Sequence, residues 1–213
     1  MKYIIDSASH HHIEKALEMG CCGVTANPSM YNATGTQLHP FLERYASQNL
    51  HFLSGEVIAT TWDEAMVQVR KIQSIHPEIV IKLNFSPFTL KLVKALKSQG
   101  IKTAVTLIFS LNQAMAAINS GADYIFPFVG RNEAEGIDGL QLCRNLKAMM
   151  EKTPCSTKIV AASIKNLYQL EQLSLACVDY AAITPELLDK SLENPQTDVG
   201  MMQFEADWSM MLQ

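Results

Sequence analysis

A lysine inside an apolar run is the residue most in need of a chemical explanation. In IVIKLNF, residues 79–85, Lys82 is flanked by aliphatic side chains, and lysine is almost never fully buried without a partner. Desolvation favours the neutral amine, whose lone pair can attack a carbonyl carbon and form a Schiff base. A buried ion pair with Asp6 or Glu56 is the alternative. Those carboxylates are also what Schiff-base chemistry requires, because carbinolamine formation, dehydration and carbon–carbon cleavage each move protons. For Asp6 the competing role is a helix N-cap ahead of the stretch beginning at His10, and for Glu56 a solvated strand end.

These residues must be held by something, and the chain supplies a repeating pattern. Short runs rich in Val and Ile alternate with segments of helical spacing, without a low-complexity linker. The pattern predicts strands at Tyr3 to Ile5, Gly23 to Ala26, Phe52 to Val57, Ile79 to Leu83, Thr103 to Leu107, Tyr124 to Pro127, Lys158 to Ala162 and Val178 to Ala181. Eight such repeats in 213 residues predict one α/β domain, a (β/α)₈ TIM barrel spanning the chain. A doubly wound sheet is the competitor, but the sequence has no GxGxxG or Walker loop. Strand residues alternate between the barrel interior and the helix layer. Val80, Lys82 and Asn84 therefore share the interior parity, and Ile79, Ile81 and Leu83 the other. The same count turns Asp6, Thr25, Asn27, Ser54, Glu56, Thr106 and Ser163 toward the end where barrel enzymes place their chemistry.

Composition narrows the partners. With 17 Lys and Arg against 21 Asp and Glu, the net charge of -4 offers no general attraction to nucleic acid or an anionic membrane, so a bound phosphate needs local groups. Five cysteines without CxxC spacing argue against a disulfide framework and a zinc site, and suit a reducing, cytoplasmic location. MKYII is too short for a signal-peptide core, and no later run has the length of a membrane span. His10, His11 and His12 splay by about 100° per helical residue and predict a solvated helix start, so neither metal nor cofactor is expected. Met149, Met150, Met201 and Met202 are expected as core or interface filler. At the C-terminus, NPQTDVG (194–200) predicts a turn, followed by a helix over about 200–212. That helix is expected to carry Met201, Phe204, Trp208, Met211 and Leu212 as a stripe opposite Gln203, Glu205 and Asp207, covered by its own barrel or by a neighbouring subunit.

Longer stretches carry a resemblance. IIDSA (4–8), GVTANPS (23–29), EVIATT (56–61), IVIKLNF (79–85), TAVTLIFSLNQA (103–114), YIFPFVGR (124–131), IVAASIK (159–165) and NPQTDVGMMQFEADW (194–208) are together similar to the short transaldolase and fructose-6-phosphate aldolase family of class I aldolases. The resemblance implies a Schiff-base lysine at Lys82, an acid/base at Asp6, and a proton-shuttling water held by Glu56 and Thr106. It further implies a ketol pocket lined by Thr25 and Asn27, and phosphate binding by Arg131, Ser163 and Lys165. Phosphosugar substrates and a homo-oligomer, a pentamer or decamer joined through the C-terminal helix, follow from the same likeness. Four positions depart from the family pattern. LNFSPFTL (83–90) places Asn84 and Phe85 beside the nucleophile, Ala104 stands where an asparagine is usual, and Phe126 where a small residue is usual. Phe128 with Glu56 matches the transaldolase branch, which points to transfer of a dihydroxyacetone unit. Aldolase-type cleavage to free dihydroxyacetone, and a non-catalytic sugar-phosphate-binding ring protein, are the alternatives.

Overall fold

The computed structural model describes residues 1–153 and 155–212. Eight parallel strands close in sequence order: β1 (Lys2–Asp6), β2 (Gly23–Thr25), β3 (Phe52–Val57), β4 (Val80–Asn84), β5 (Thr103–Ile108), β6 (Tyr124–Pro127), β7 (Lys158–Ala161) and β8 (Tyr180–Ile183). Pairing of Lys2 with Tyr180 and of Ile5 with Ile183 joins the last strand to the first. The (β/α)₈ barrel expected from the alternation is therefore present. The helices are α1 (His10–Glu18), α2 (Pro28–Thr34), α3 (Leu38–Ala46), α4 (Trp62–Ile75), α5 (Pro87–Ser98), α6 (Leu111–Asn119), α7 (Val129–Ala134), α8 (Gly139–Lys152), α9 (Leu167–Leu175), α10 (Pro185–Leu192) and α11 (Pro195–Met211).

Alternation along the strands builds two cores. Ile5, Val24, Ile81, Leu83, Val105, Ile125 and Ile159 face outward and pack beneath the helices, whereas Ile4, Phe52, Val80, Ala104, Phe126, Val160 and Ala182 fill the barrel itself. Side-chain caps start eight of the eleven helices, α1, α3 and α7 being the exceptions. After Asn84 the chain reads Phe-Ser-Pro, where Ser86 accepts the Thr89 amide proton at 3.1 Å and Pro87 opens α5 with its preset φ.

The eighth strand begins two residues later than the pattern predicted. Cys177 takes φ 54, and Val178 donates its amide to Leu173 O as part of the preceding helix end, so Val178 is buried without joining the sheet. In β5 the register slips between Val105 and Ile108, with Leu107 at φ 59, where plain alternation was expected. Two further expectations are corrected at the C-terminus. The segment from 195 is already helical, with Asn194 as N-cap and Pro195 in the first turn. Nor does α11 carry a single apolar stripe: Val199, Met202 and Met210 form a second apolar side, Glu205 falls beside the first, and the helix buries none of its residues against its own barrel. His10 also differs from its two neighbours, since its ring bonds the Tyr45 hydroxyl at 2.8 Å and stacks on Phe41.

Candidate active site

At the C-terminal ends of the strands lies a cavity of about 330 Å³. Eleven of the residues singled out in the sequence line it, namely Asp6, Thr25, Asn27, Glu56, Lys82, Asn84, Thr106, Phe128, Arg131, Ser163 and Lys165, whereas Ser54, expected at the same end, does not. Strand register accounts for the grouping, since Asp6 pairs with Thr25, Glu56 with Lys82, and Asn84 with Thr106. Interior positions change from apolar at the barrel floor to polar at the mouth on β1 through β5, but remain apolar through Phe126, Ala162 and Ala182 on β6 through β8.

Lys82 is only 5% exposed. Its Nζ lies 3.0 Å from Glu56 Oε2, donates to Thr25 Oγ1 at 3.3 Å, and also donates to the Ala26 carbonyl. The buried ion pair weighed as the alternative to a nucleophilic role is therefore present, with Glu56 as the partner. Thr25 in turn shares a 3.0 Å hydrogen bond with Ser54, which sits behind the cavity wall. Glu56 is buried, which removes the solvated strand-end reading. Asp6 caps no helix, because Ser9 occupies the N-cap of α1 while Ser7 Oγ accepts the Ser9 amide proton at 3.1 Å. Burial pushes the Asp6 carboxyl up to about 6, with Glu56 raising it further and Lys82 and Lys165 pulling it down. At neutral pH it is therefore a carboxylate of raised basicity. Asn27 caps α2 through its side-chain oxygen, which accepts the Met30 amide proton at 3.2 Å.

The opposite rim is built around α7. Gly130 donates its amide to Ser163 O at 2.8 Å, and any Cβ at Gly130 would collide with that carbonyl and with the Lys165 side chain. This close approach brings Arg131, Ser163 and Lys165 to one corner. Ser163 adopts φ 58, a left-handed conformation unfavourable for serine, and its buried hydroxyl has no hydrogen-bond partner among the described residues. Gln169 braces the corner by accepting the Lys165 amide proton and donating to Glu133, both at 2.6 Å. The Phe128 ring is held between Phe109, whose centroid is 5.4 Å away, and the Arg131 guanidinium, 4.9 Å from its centre. Leu107, Thr184 and Met30 also line the cavity and were not singled out from sequence. Leu107 arrives through the β5 bulge and Thr184 as the N-cap of α10. Of these, only the threonine before Pro185 carried a readable signal, that of a helix start.

Among the described residues, no cluster of three or more His, Cys, Asp or Glu side chains has metal-binding geometry, and no helix is long and apolar enough to cross a membrane. Residues 3–213 match the family model for transaldolase/fructose-6-phosphate aldolase. The chain is 40% identical to a probable transaldolase of Agathobacter rectalis over 211 residues, covering 98% of this chain and 97% of that protein. It is 36% identical to a probable transaldolase of Brachyspira hyodysenteriae, with coverage of 98% and 97%, and to probable transaldolase 1 of Listeria monocytogenes, with coverage of 98% of each. A closed barrel with an amine and two carboxylates at its mouth, matched end to end by such relatives, belongs to the transaldolase/fructose-6-phosphate aldolase family of enzymes.

Proposed function

We propose that the enzyme transfers a dihydroxyacetone unit between sugar phosphates through a Schiff base on Lys82. The observation that carries this reading is the placement of Lys82, buried at the end of β4, inside the cavity, and 3.0 Å from a carboxylate that can take its proton. Once its proton has passed to Glu56, the neutral amine attacks the C2 carbonyl of a ketose phosphate, and the resulting hydroxyl leaves as water, completing the imine. Thr106 and Glu56 hold the water through which these protons pass. Asp6 then removes the C4 hydroxyl proton, the C3–C4 bond breaks into the imine, and an aldose phosphate departs from an enamine. Addition of that enamine to an acceptor aldehyde, with Asp6 returning the proton to the new alkoxide, reverses the sequence. Thr25, Asn27 and Asn84 hold the ketol hydroxyls. Arg131, Lys165 and the unpartnered Ser163 hydroxyl hold the phosphate.

Phe128 supplies no hydroxyl beside the imine, which leaves the enamine waiting for an aldehyde and supports transfer over release. Aldolase-type cleavage is favoured instead by Ala104, which offers the held ketol no amide. The whole chain acts as one barrel domain, and α11, exposed on both apolar sides, joins it to further copies in a ring of five or ten. Incubation with fructose 6-phosphate and borohydride, followed by mass mapping, tests the chemistry directly. Label on Lys82, lost together with turnover in Lys82→Met, is the expected result. Label on a different lysine overturns the assignment to Lys82, and no label at all leaves a sugar-phosphate-binding protein.

A further inference from the structure

Two long cationic side chains stand at the phosphate corner, and their reach depends on where their backbones are held. Arg131 and Lys165 are both exposed, and neither forms an ion pair among the described residues. They belong to different elements, Arg131 to α7 and Lys165 to the loop between β7 and α9. A single buried side chain joins the two. Gln169, 3% exposed, accepts the Lys165 amide proton through Oε1 at 2.6 Å and donates through Nε2 to Glu133, two residues beyond Arg131 on α7, also at 2.6 Å. Its amide can face only one way, because a backbone N–H cannot accept and a carboxylate cannot donate. The bond to Lys165 is an ordinary feature of a helix start: Gln113, at the matching third position of α6, accepts the Phe109 amide proton at 2.8 Å. The bond to Glu133 is not, since the Gln113 side chain has no such second partner among the described residues.

We infer that Gln169 is a positioning residue that sets the separation of Arg131 and Lys165, and that preference for a phosphorylated acceptor depends on this bridge; the inference rests on the phosphate-holding role proposed above. Two backbone hydrogen bonds, from Val129 to Ala162 O at 2.9 Å and from Gly130 to Ser163 O at 2.8 Å, fasten the start of α7 to the end of β7 and the loop after it. Gln169 fastens the last turn of α7 to the same loop, and Arg131 lies between the two fixings. Asn132 holds the helix on its other side, donating to Phe109 O at 3.1 Å, and does not reach the loop that carries Lys165. Without the bridge α7 swings about its first fixing, and the guanidinium shifts relative to the ammonium. A dianionic phosphate that needs both at once then loses one of them.

The test uses the full chain with dihydroxyacetone as the common donor, so that the only phosphate belongs to the acceptor, and compares glyceraldehyde 3-phosphate with glyceraldehyde. Gln169→Glu keeps an oxygen for the Lys165 amide proton but sets a carboxylate oxygen against Glu133. KM for glyceraldehyde 3-phosphate should rise about five- to twentyfold with kcat little changed, while both constants for glyceraldehyde stay within about twofold. Combining Gln169→Glu with Glu133→Gln rebuilds the bridge in the reverse sense at the wild-type net charge, and should bring KM back to within about twofold of the wild type. Equal losses for both acceptors overturn the inference, as does no loss at all. A selective loss that the swap fails to repair also overturns it, because the added charge is then repelling the phosphate. Should Gln169→Glu fail to fold, Glu133→Ala at an exposed position carries the test: loss of the bridge raises KM for the phosphorylated acceptor, whereas an unchanged or lower KM leaves only the removed charge and overturns the inference. Arg131→Ala, measured alongside, separates the two levels. Equal losses for both acceptors in that variant overturn the phosphate-holding role and what rests on it, and a selective loss there beside an unaffected Gln169→Glu overturns the inference alone.

Discussion

Asp6 pays for its basicity in stability. Its carboxyl titrates near 6 when folded against 3.8 for the free group, so the folded state binds the proton more tightly between those values. The resulting penalty is fully present above about pH 6 and is lost as pH falls below 3.8. Asp6→Asn should therefore melt a few degrees higher than the wild type at pH 8, with the gap closing toward pH 4, as differential scanning fluorimetry across pH will show. The same substitution should leave imine trapping intact while turnover drops by about 10²-fold or more, since the base for bond cleavage is gone. Phe128 gives a second test. With fructose 6-phosphate alone the wild type should release little dihydroxyacetone, and erythrose 4-phosphate should elicit sedoheptulose 7-phosphate. Phe128→Tyr, by adding one hydrogen-bonding group beside the enamine, should raise acceptor-free release about tenfold. Rapid release unaltered by the substitution would contradict transfer as the native outcome. Side chains on regular strands were readable because alternation alone assigns their side, which is why Asp6, Glu56, Lys82 and Asn84 could be placed from sequence.

Helices and loops carry the phosphate corner, and there one glycine sets the spacing. Gly130→Ala would drive its Cβ into the Ser163 carbonyl and the Lys165 stem, separating α7 from the loop after β7. The expected result is a loss of about ten- to a hundredfold in kcat/KM for glyceraldehyde 3-phosphate, with little change for glyceraldehyde. Equal losses for both acceptors would assign the glycine to barrel packing alone. This corner also marks where sequence reading stopped. Short strands bounded by Ser, Thr and Asn caps were placed within about two residues, because apolar runs and capping residues are local signals. A bulge at Leu107 and a left-handed Ser163 carry no such local signal, since leucine and serine seldom adopt a positive φ. The later start of β8 has a similar origin, since Val178 reads as strand but is claimed by the end of α9.

For the molecule as a whole, α11 is the least self-sufficient part. Phe204 is 75% exposed and Trp208 61%, and a helix apolar on two sides has more surface to hide than one barrel covers. Ending the chain at Leu192 should reduce an assembled wild type to a species near one chain's mass in light scattering, with the barrel's circular dichroism kept. An unchanged assembly mass would place the contacts elsewhere. The number of copies was beyond sequence reading, since an apolar surface states that it must be covered and not by how many neighbours. Barrel closure itself has a consequence for synthesis. Hydrogen bonds from Lys2–Ile5 to Tyr180–Ile183 mean that the first strand made acquires its second neighbour only when the last strand leaves the ribosome. At roughly 5–20 residues per second, that edge waits on the order of 10–35 s with its backbone groups open. A newly emerging chain thus spends most of its translation as an incomplete sheet, and shielding that first edge from other nascent chains is a task that falls to the cell and not to the fold.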